Sequence, residues 1–295
     1  MSSKVTDTTR DLRTTLEMIK IEHTLFALPF ALLGALLAAR GLPSGRQLGW
    51  ILVAMVGARS AAMAFNRLVD RDIDARNPRT ANRALPAGLV SVPFVAGFTV
   101  AASALLVLAA WMLNPLAFAL SPLALGIVFF YSYTKRFTRW AHLVLGVALA
   151  IAPVGAYLAI AGEWSRPAGA LLALAGGVLC WVAGFDILYS LQDMEFDRKE
   201  GLHSVPAALG ARGALAVSRT LHVLSTGLFV ALGFLVPRLG WLYFAAAAVI
   251  GVMLVYEQSL VRADDFSRID AAFFNVNGAI SVVFFLMVLA ERLLA

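Results

Sequence analysis

The side chains with the most chemical content in this chain are aspartates in two short stretches, Asn66-Arg-Leu-Val-Asp70-Arg-Asp-Ile-Asp74 and Asp193-Met-Glu-Phe-Asp197. Each stretch sets two aspartates four residues apart, so on a helix both carboxylates point to one face. Asn66 extends the first face back by one turn, with Met63 and Arg59 beyond it, and Asp186 extends the second by two. Asp72 and Glu195 fall off these faces, Asp72 toward Arg71, Arg76 or solvent and Glu195 toward solvent. Two facing carboxylate pairs, with the Asn66 amide oxygen in reserve, suit hard divalent cations holding a diphosphate. Mg²⁺ typically binds through one or two carboxylates plus substrate phosphate oxygens. A departing diphosphate also needs basic side chains to stabilise its charge. Arg71, Arg83, Lys135, Arg136 and Arg139 are the candidates, Lys135 foremost because it directly follows Tyr131-Ser-Tyr133-Thr at the end of an apolar run.

The elements that must position these groups are membrane helices. Of the 295 residues, 60% are hydrophobic and 14% charged, and the mean hydropathy is +0.81. Soluble domains hold about 45–50% apolar residues. The hydrophobicity comes in runs of roughly 17–23 residues, each able to cross a bilayer as a helix. Nine are expected, at about 24–40, 47–69, 92–113, 115–132, 140–161, 168–190, 214–236, 239–257 and 271–291. The fold class is therefore all-α, a polytopic membrane protein with nine transmembrane helices, and residues 1–295 read as a single membrane-embedded domain. A polar tail of some twenty residues precedes the first run, so that run is expected to be an uncleaved insertion signal.

Charge sets the orientation. The N-terminal tail and the connections 67–91, 133–139, 191–213 and 258–270 collect 17 of the 24 Lys and Arg residues. By the positive-inside rule that side, and with it the N-terminus, is cytoplasmic. Both aspartate motifs fall there, each after an even-numbered span. The net charge of +6 lies in alternate short connections and not in a continuous stripe, which argues against nucleic-acid binding. Cys180 is the only cysteine and lies in an apolar run, so neither an intrachain disulfide nor a thiolate metal site is expected. Asp70 and Asp193 are 123 residues apart, as are Asp74 and Asp197, an offset that suggests a diverged four-helix repeat.

The motifs in order carry a resemblance. Asn-x-x-x-Asp-x-x-x-Asp closes the second span, followed by Arg79-Thr-Ala-Asn-Arg-Ala-Leu-Pro-Ala-Gly88, Tyr131-Ser-Tyr-Thr-Lys-Arg136, Asp186, the Asp193 to Asp197 pair and the Gly201 to Gly210 segment. Over about residues 15–292 this resembles the UbiA family of intramembrane prenyltransferases. The resemblance implies a nine-helix bundle with a central cavity open laterally to lipid. In such enzymes Mg²⁺ on the two aspartate motifs ionises a polyprenyl diphosphate, and the allylic cation alkylates an aromatic ring or another nucleophile.

Within the family the chain looks most like the 4-hydroxybenzoate polyprenyltransferases of quinone biosynthesis. Arg59 matches an arginine of that group and is expected to pair with an aromatic carboxylate. The first span opens Ile19-Lys-Ile-Glu-His-Thr-Leu-Phe-Ala-Leu-Pro-Phe30 and looks more like the branch that prenylates a naphthoate in an alternative menaquinone pathway. His23 is then a candidate acceptor contact. The implied assignment gives Asn66, Asp70, Asp74, Asp193 and Asp197 to Mg²⁺, and Arg71, Arg83, Lys135 and Arg136 to the diphosphate. Asp186 orients the acceptor or accepts the ring proton, and Phe65, Tyr131, Phe185 and Tyr189 are candidates to face the cation. The partners implied are a polyprenyl diphosphate, an aromatic acid and the bilayer of a bacterial inner membrane, with no obligate protein partner. Haem-farnesylating and lipid-ether enzymes of the same fold are alternatives, as is a secondary transporter. Transporters, however, carry their acids near the midplane on interrupted helices, whereas four of the five key acids here lie at cytoplasmic helix ends.

Overall fold

The computed structural model describes residue 14, residues 24–39 and residues 41–294. The regular structure of these residues is helical, in the order α1 Thr24–Ala38, α2 Gly45–Val69, α3 Arg71–Arg76, α4 Val92–Leu113, α5 Pro115–Thr134, α6 Ala141–Ala161, α7 Ala168–Ser190, α8 Met194–Lys199, α9 Val205–Leu235, α10 Trp241–Leu260 and α11 Asn277–Leu294. A single 3₁₀ turn, Leu191–Asp193, joins α7 to α8, and a π-helical segment, Ala271–Val276, leads into α11.

Eight of these segments are long and apolar enough to cross a membrane: α2, α4, α5, α6, α9, α10, Ala168–Lys199 around α7, and Ala271–Leu294 around α11. Of helix α1, which is apolar, 15 residues are described, about 22 Å at 1.5 Å per residue. The chain is thus an all-helical, multi-pass membrane protein, as its composition predicts.

Turn chemistry fixes the helix starts. Ser44 and Gln47 form a reciprocal capping box on α2, and Ser91, Asn114 and Ser204 each accept a first-turn N–H of the helix that follows. These side chains satisfy donors that have no partner within the helix. Helix α7 is central: 72% of its most apolar stretch is buried, far more than in any other span. It packs between α6 and α9, while α1 bridges α6 and α11 and α2 lies against α4. Small residues permit the closest approaches. A Cβ on Gly146 of α6 would stand 2.5 Å from the Leu179 carbonyl oxygen of α7, so only glycine allows that contact.

One expectation needs correction. The spacing of Asn66, Asp70 and Asp74 predicts one continuous helical face, but α2 ends at Val69 and Asp70 sits outside helical geometry at φ −94°, ψ 5°. Asp193 does the same at φ −99°, ψ 1°, at the end of the 3₁₀ turn and the start of α8. Each aspartate pair therefore straddles a break followed by a six-residue helix. The i to i−4 bond from Asp74 N–H to the Asp70 carbonyl (2.7 Å) survives the break, which keeps the two carboxylates on the same side.

Candidate active site

A cavity of about 670 Å³ opens between α2, α4, α5, α6 and α7. Asn66, Asp70, Asp74, Asp186, Asp193 and Asp197 all line it, as do Arg59, Arg83, Lys135 and Arg136. Away from this polar end the wall is aliphatic, with Ile51, Leu113, Leu120, Leu149 and Leu158, and it reaches Trp164 beyond α6. The cavity is thus charged at one end and greasy along its length.

The carboxylates are buried and compensated. Asp74 takes both oxygens to Arg83 Nη1 (2.7 and 2.8 Å). Arg79 clasps Asp193 through Nε (2.8 Å) and Nη2 (2.5 Å), with Asn77 Nδ2 adding a third donor at 3.0 Å. Arg136 donates to Asp70 Oδ1 (3.3 Å) and to the Val69 carbonyl (2.6 Å), and Asn66 Nδ2 donates to Asp70 Oδ2 (2.8 Å). Such charge-assisted bonds offset the cost of taking carboxylates out of water. Asp197 is the exception: it is 2% exposed, its Oδ2 has no hydrogen-bond partner, and Lys135 Nζ stands 3.8 Å away.

Burial, and then the neighbouring Asp74, push the Asp70 carboxyl above the ordinary carboxylate range, against the opposing hydrogen bond from Arg136. Burial works against the charge on Lys135 but is outweighed by Asp197, Asp186, Asp193 and Asp70, which hold the ammonium above its usual value. Burial likewise opposes the Arg79 charge, and the Asp193 clasp more than compensates. The site is a lattice of alternating charge, each member retained by the others.

The donor set fits a hard cation in kind: four aspartates, the Asn66 amide and one orphaned carboxylate oxygen on Asp197. Among the described residues, no three His, Cys, Asp or Glu side chains converge closely enough to hold a cation as they stand. Arg79 and Arg83 occupy the oxygens that a cation would take.

Of the residues singled out from the sequence, Asn66, Asp70, Asp74, Asp186, Asp193, Asp197, Arg59, Arg83, Lys135 and Arg136 come together on this cavity. Arg59 lies seven residues before Asn66, about 10 Å along α2, and its Nε is buried without a partner. Arg71 does not join them: its side chain is 48% exposed and pairs with Asp72 outside the cavity. Arg67, four residues earlier, is 7% exposed and lines the cavity. Tyr131, Phe185 and Tyr189 line the cavity, whereas Phe65 stacks on Phe129 with ring centroids 4.3 Å apart. Glu195 is exposed and pairs with Arg198. His23 lies outside the described residues.

Sequence reasoning missed four participants: Asn77, Arg79, Arg67 and His142. Arg79 offered a signal, standing one helical turn before Arg83 in the same connection. His142 offered another, an ionisable ring inside an apolar run. It is 1% exposed, and its Nδ1 lies 2.6 Å from Asp186 Oδ2.

Comparison with known proteins bears on this arrangement. The model of the UbiA prenyltransferase family matches residues 27–286. A 4-hydroxybenzoate octaprenyltransferase of Vibrio atlanticus (strain LGP32) is 30% identical over 258 residues, 86% of this chain and 88% of that protein. One from Citrobacter koseri is 31% identical over 241 residues, 80% and 81% of the two chains. Among solved structures, the apo UbiA homologue of Aeropyrum pernix K1 superposes with a TM-score of 0.82 at 36% identity, covering 92% of this chain and 98% of its own. The Archaeoglobus fulgidus UbiA homologue bound to GPP and Mg²⁺ shares the fold, with a TM-score of 0.74 at 22% identity over 95% and 99% of the two chains. The family match and the curated relatives each span most of the chain, and the protein belongs to the UbiA prenyltransferase family.

Proposed function

We propose that this protein transfers a polyprenyl group from a polyprenyl diphosphate to an aromatic acid, 4-hydroxybenzoate or a naphthoate, in the making of a membrane quinone. The observation that carries the reading is the pairing of two features on one cavity. One is a cluster of compensated carboxylates and cations at its polar end. The other is Arg59, about 10 Å deeper, with a buried nitrogen that no protein group satisfies. A buried guanidinium N–H without a partner is costly, and a planar carboxylate is the acceptor its fork geometry matches.

Asn66, Asp70, Asp74, Asp193 and Asp197 are the residues that would hold Mg²⁺. Bound there, the metal supplies the charge neutralisation that lets an allylic diphosphate leave. The cations are placed to follow the charge: Arg79, Arg83 and Arg136 exchange carboxylate partners for diphosphate oxygens, and Lys135 already stands among four aspartates. Tyr131, Phe185 and Tyr189 line the same space, aromatic rings of the kind that suit a developing carbocation. Arg59 anchors the acceptor by its carboxylate, and Asp186 takes the ring proton. The prenyl tail follows the aliphatic wall toward lipid, a route that a water-exposed fold could not offer. Proposed with this reading are a nine-span topology with the N-terminus in the cytoplasm and a place in a bacterial inner membrane.

Relatives named as 4-hydroxybenzoate octaprenyltransferases and homologues bound to DMAPP or GPP with Mg²⁺ support this reading. The test is turnover of purified protein in detergent with a polyprenyl diphosphate, Mg²⁺ and paired acceptors, each aromatic acid set against its decarboxylated phenol or naphthol. An acid consumed in preference to its decarboxylated partner supports the reading. Equal use of both would remove the role given to Arg59.

A further inference from the structure

Three of the cavity's aspartates take hydrogen bonds from full cations: Asp70 from Arg136, Asp74 from Arg83 and Asp193 from Arg79. Asp197 faces the Lys135 ammonium at 3.8 Å. Asp186 also lies in the field of the Lys135 ammonium, but its hydrogen bond is of another kind. Its hydrogen-bond partner among the described residues is His142, whose Nδ1 lies 2.6 Å from Oδ2. The other ring nitrogen, Nε2, receives the Val205 backbone N–H at 3.4 Å. Val205 opens α9, so that N–H has no acceptor within its own helix. An N–H aimed at Nε2 requires a lone pair there, which puts the ring proton on Nδ1, facing Asp186.

The surroundings hold this geometry in place. Gly146, one turn beyond His142 on α6, lets α6 and α7 approach until a Cβ would clash with the Leu179 carbonyl. The segment leading into α9 is tied down by Leu202 N–H to the Asp197 carbonyl (2.8 Å) and His203 N–H to the Lys135 carbonyl (2.7 Å). Asp186 keeps 15% of its side chain exposed, on the cavity wall.

We infer that His142 is the positioning residue for Asp186: its Nδ1–H holds Oδ2 and leaves Oδ1 free to take the proton that an aromatic ring loses on alkylation. The inference rests on the function proposed above. In the step, the C–H bond at the newly alkylated ring carbon breaks and its electron pair restores the ring. The proton forms an O–H bond to Asp186 Oδ1, while His142 donates a hydrogen bond throughout and transfers nothing. A neutral donor suits this task. An unpaired carboxylate in an apolar wall is costly, but a guanidinium clasp of the kind on Asp74 and Asp193 would occupy both oxygens and stabilise the anion against accepting a proton.

The experiment uses the full chain in detergent with prenyl diphosphate, Mg²⁺ and the preferred aromatic acid. His142→Leu is expected to lower kcat roughly 10- to 100-fold, with the KM for the diphosphate little changed. His142→Asn, which keeps an N–H where Nδ1 stood, is expected to recover most of that loss, and His142→Gln, which moves the donor to the Nε2 position, is not. In an Asp186→Asn background, His142→Leu is expected to cause no further loss. Wild-type kcat in His142→Leu, or equal rates in the Asn and Gln variants, would overturn the inference. The Asn and Gln pair decides the matter if the Leu variant does not fold. A slow Asp186→Asn beside a fast His142→Leu removes only this inference. Full activity in Asp186→Asn removes the base assigned to Asp186 and the inference with it.

Discussion

Arg79 and Asp193 are clasped across 114 residues of sequence, with guanidinium Nε and Nη2 on the two carboxylate oxygens at 2.8 and 2.5 Å. The connection after the first aspartate motif thereby closes on the second. It also supplies Arg83 to Asp74 and Asn77 to Asp193. One short stretch, 77–83, holds a carboxylate of each motif.

Metal and diphosphate should therefore bind cooperatively. On the ligand set proposed above, a divalent cation alone would have to pull Asp193 from Arg79 and Asp74 from Arg83, leaving two guanidiniums without partners. A diphosphate arriving with it offers them new oxygens. The rise in melting temperature with Mg²⁺ plus a non-hydrolysable prenyl diphosphate analogue is expected to exceed the sum of the rises with either alone. Additive shifts would show that the clasps do not compete with the metal.

Asp193→Ala and Asp70→Ala are each expected to lower turnover by on the order of 10³-fold or more, the scale of losing transition-state charge stabilisation. Both variants should still insert and purify, since replacing an aspartate with alanine makes no span less apolar. Steady-state rates at saturating Mg²⁺ check this, and near-normal activity in either variant would sink the metal assignment.

Arg59→Ala should separate the two substrates. A charged hydrogen bond contributes about 1.5–3 kcal/mol, roughly 10- to 150-fold in affinity. The KM for the aromatic acid is expected to rise by that order while the KM for the prenyl diphosphate stays within a few-fold. An equal rise in both would contradict carboxylate pairing at Arg59.

Gly146→Ala tests the packing beneath the site. Its Cβ would stand 2.5 Å from a backbone oxygen that cannot rotate away, so α6 and α7 must separate. The expected cost is about 1–3 kcal/mol, read as a lower melting temperature in detergent. Gly155→Ala, where a Cβ meets nothing within 4 Å, is the control and should be near neutral.

Much of this was legible in the sequence, for physical reasons. Carboxylates at the edges of apolar runs are expensive, so Asp70, Asp74, Asp186, Asp193 and Asp197 announced themselves. Helical spacing placed each pair on one side, although the helix breaks at Asp70 and Asp193. Nearness in sequence to the first motif does not show that Arg71 pairs with Asp72 outside the cavity. Contacts between distant segments were not legible at all. Nothing local in Arg79 specifies Asp193, and nothing in His142 specifies Asp186; both depend on which helix faces come together. The π-helical turn that sets Phe273 against Tyr189, ring centroids 4.2 Å apart, likewise left no trace in the hydrophobic pattern.

The most direct test of the account is to follow the prenyl group itself. Purified protein would be incubated with an isotopically labelled polyprenyl diphosphate and 4-hydroxybenzoate or a naphthoate, with Mg²⁺ or with EDTA, and the products separated. The account predicts label on a ring carbon of the acid, released diphosphate in equal amount, and neither in EDTA. Diphosphate release without labelled acid, or labelled acid formed equally well in EDTA, would contradict it.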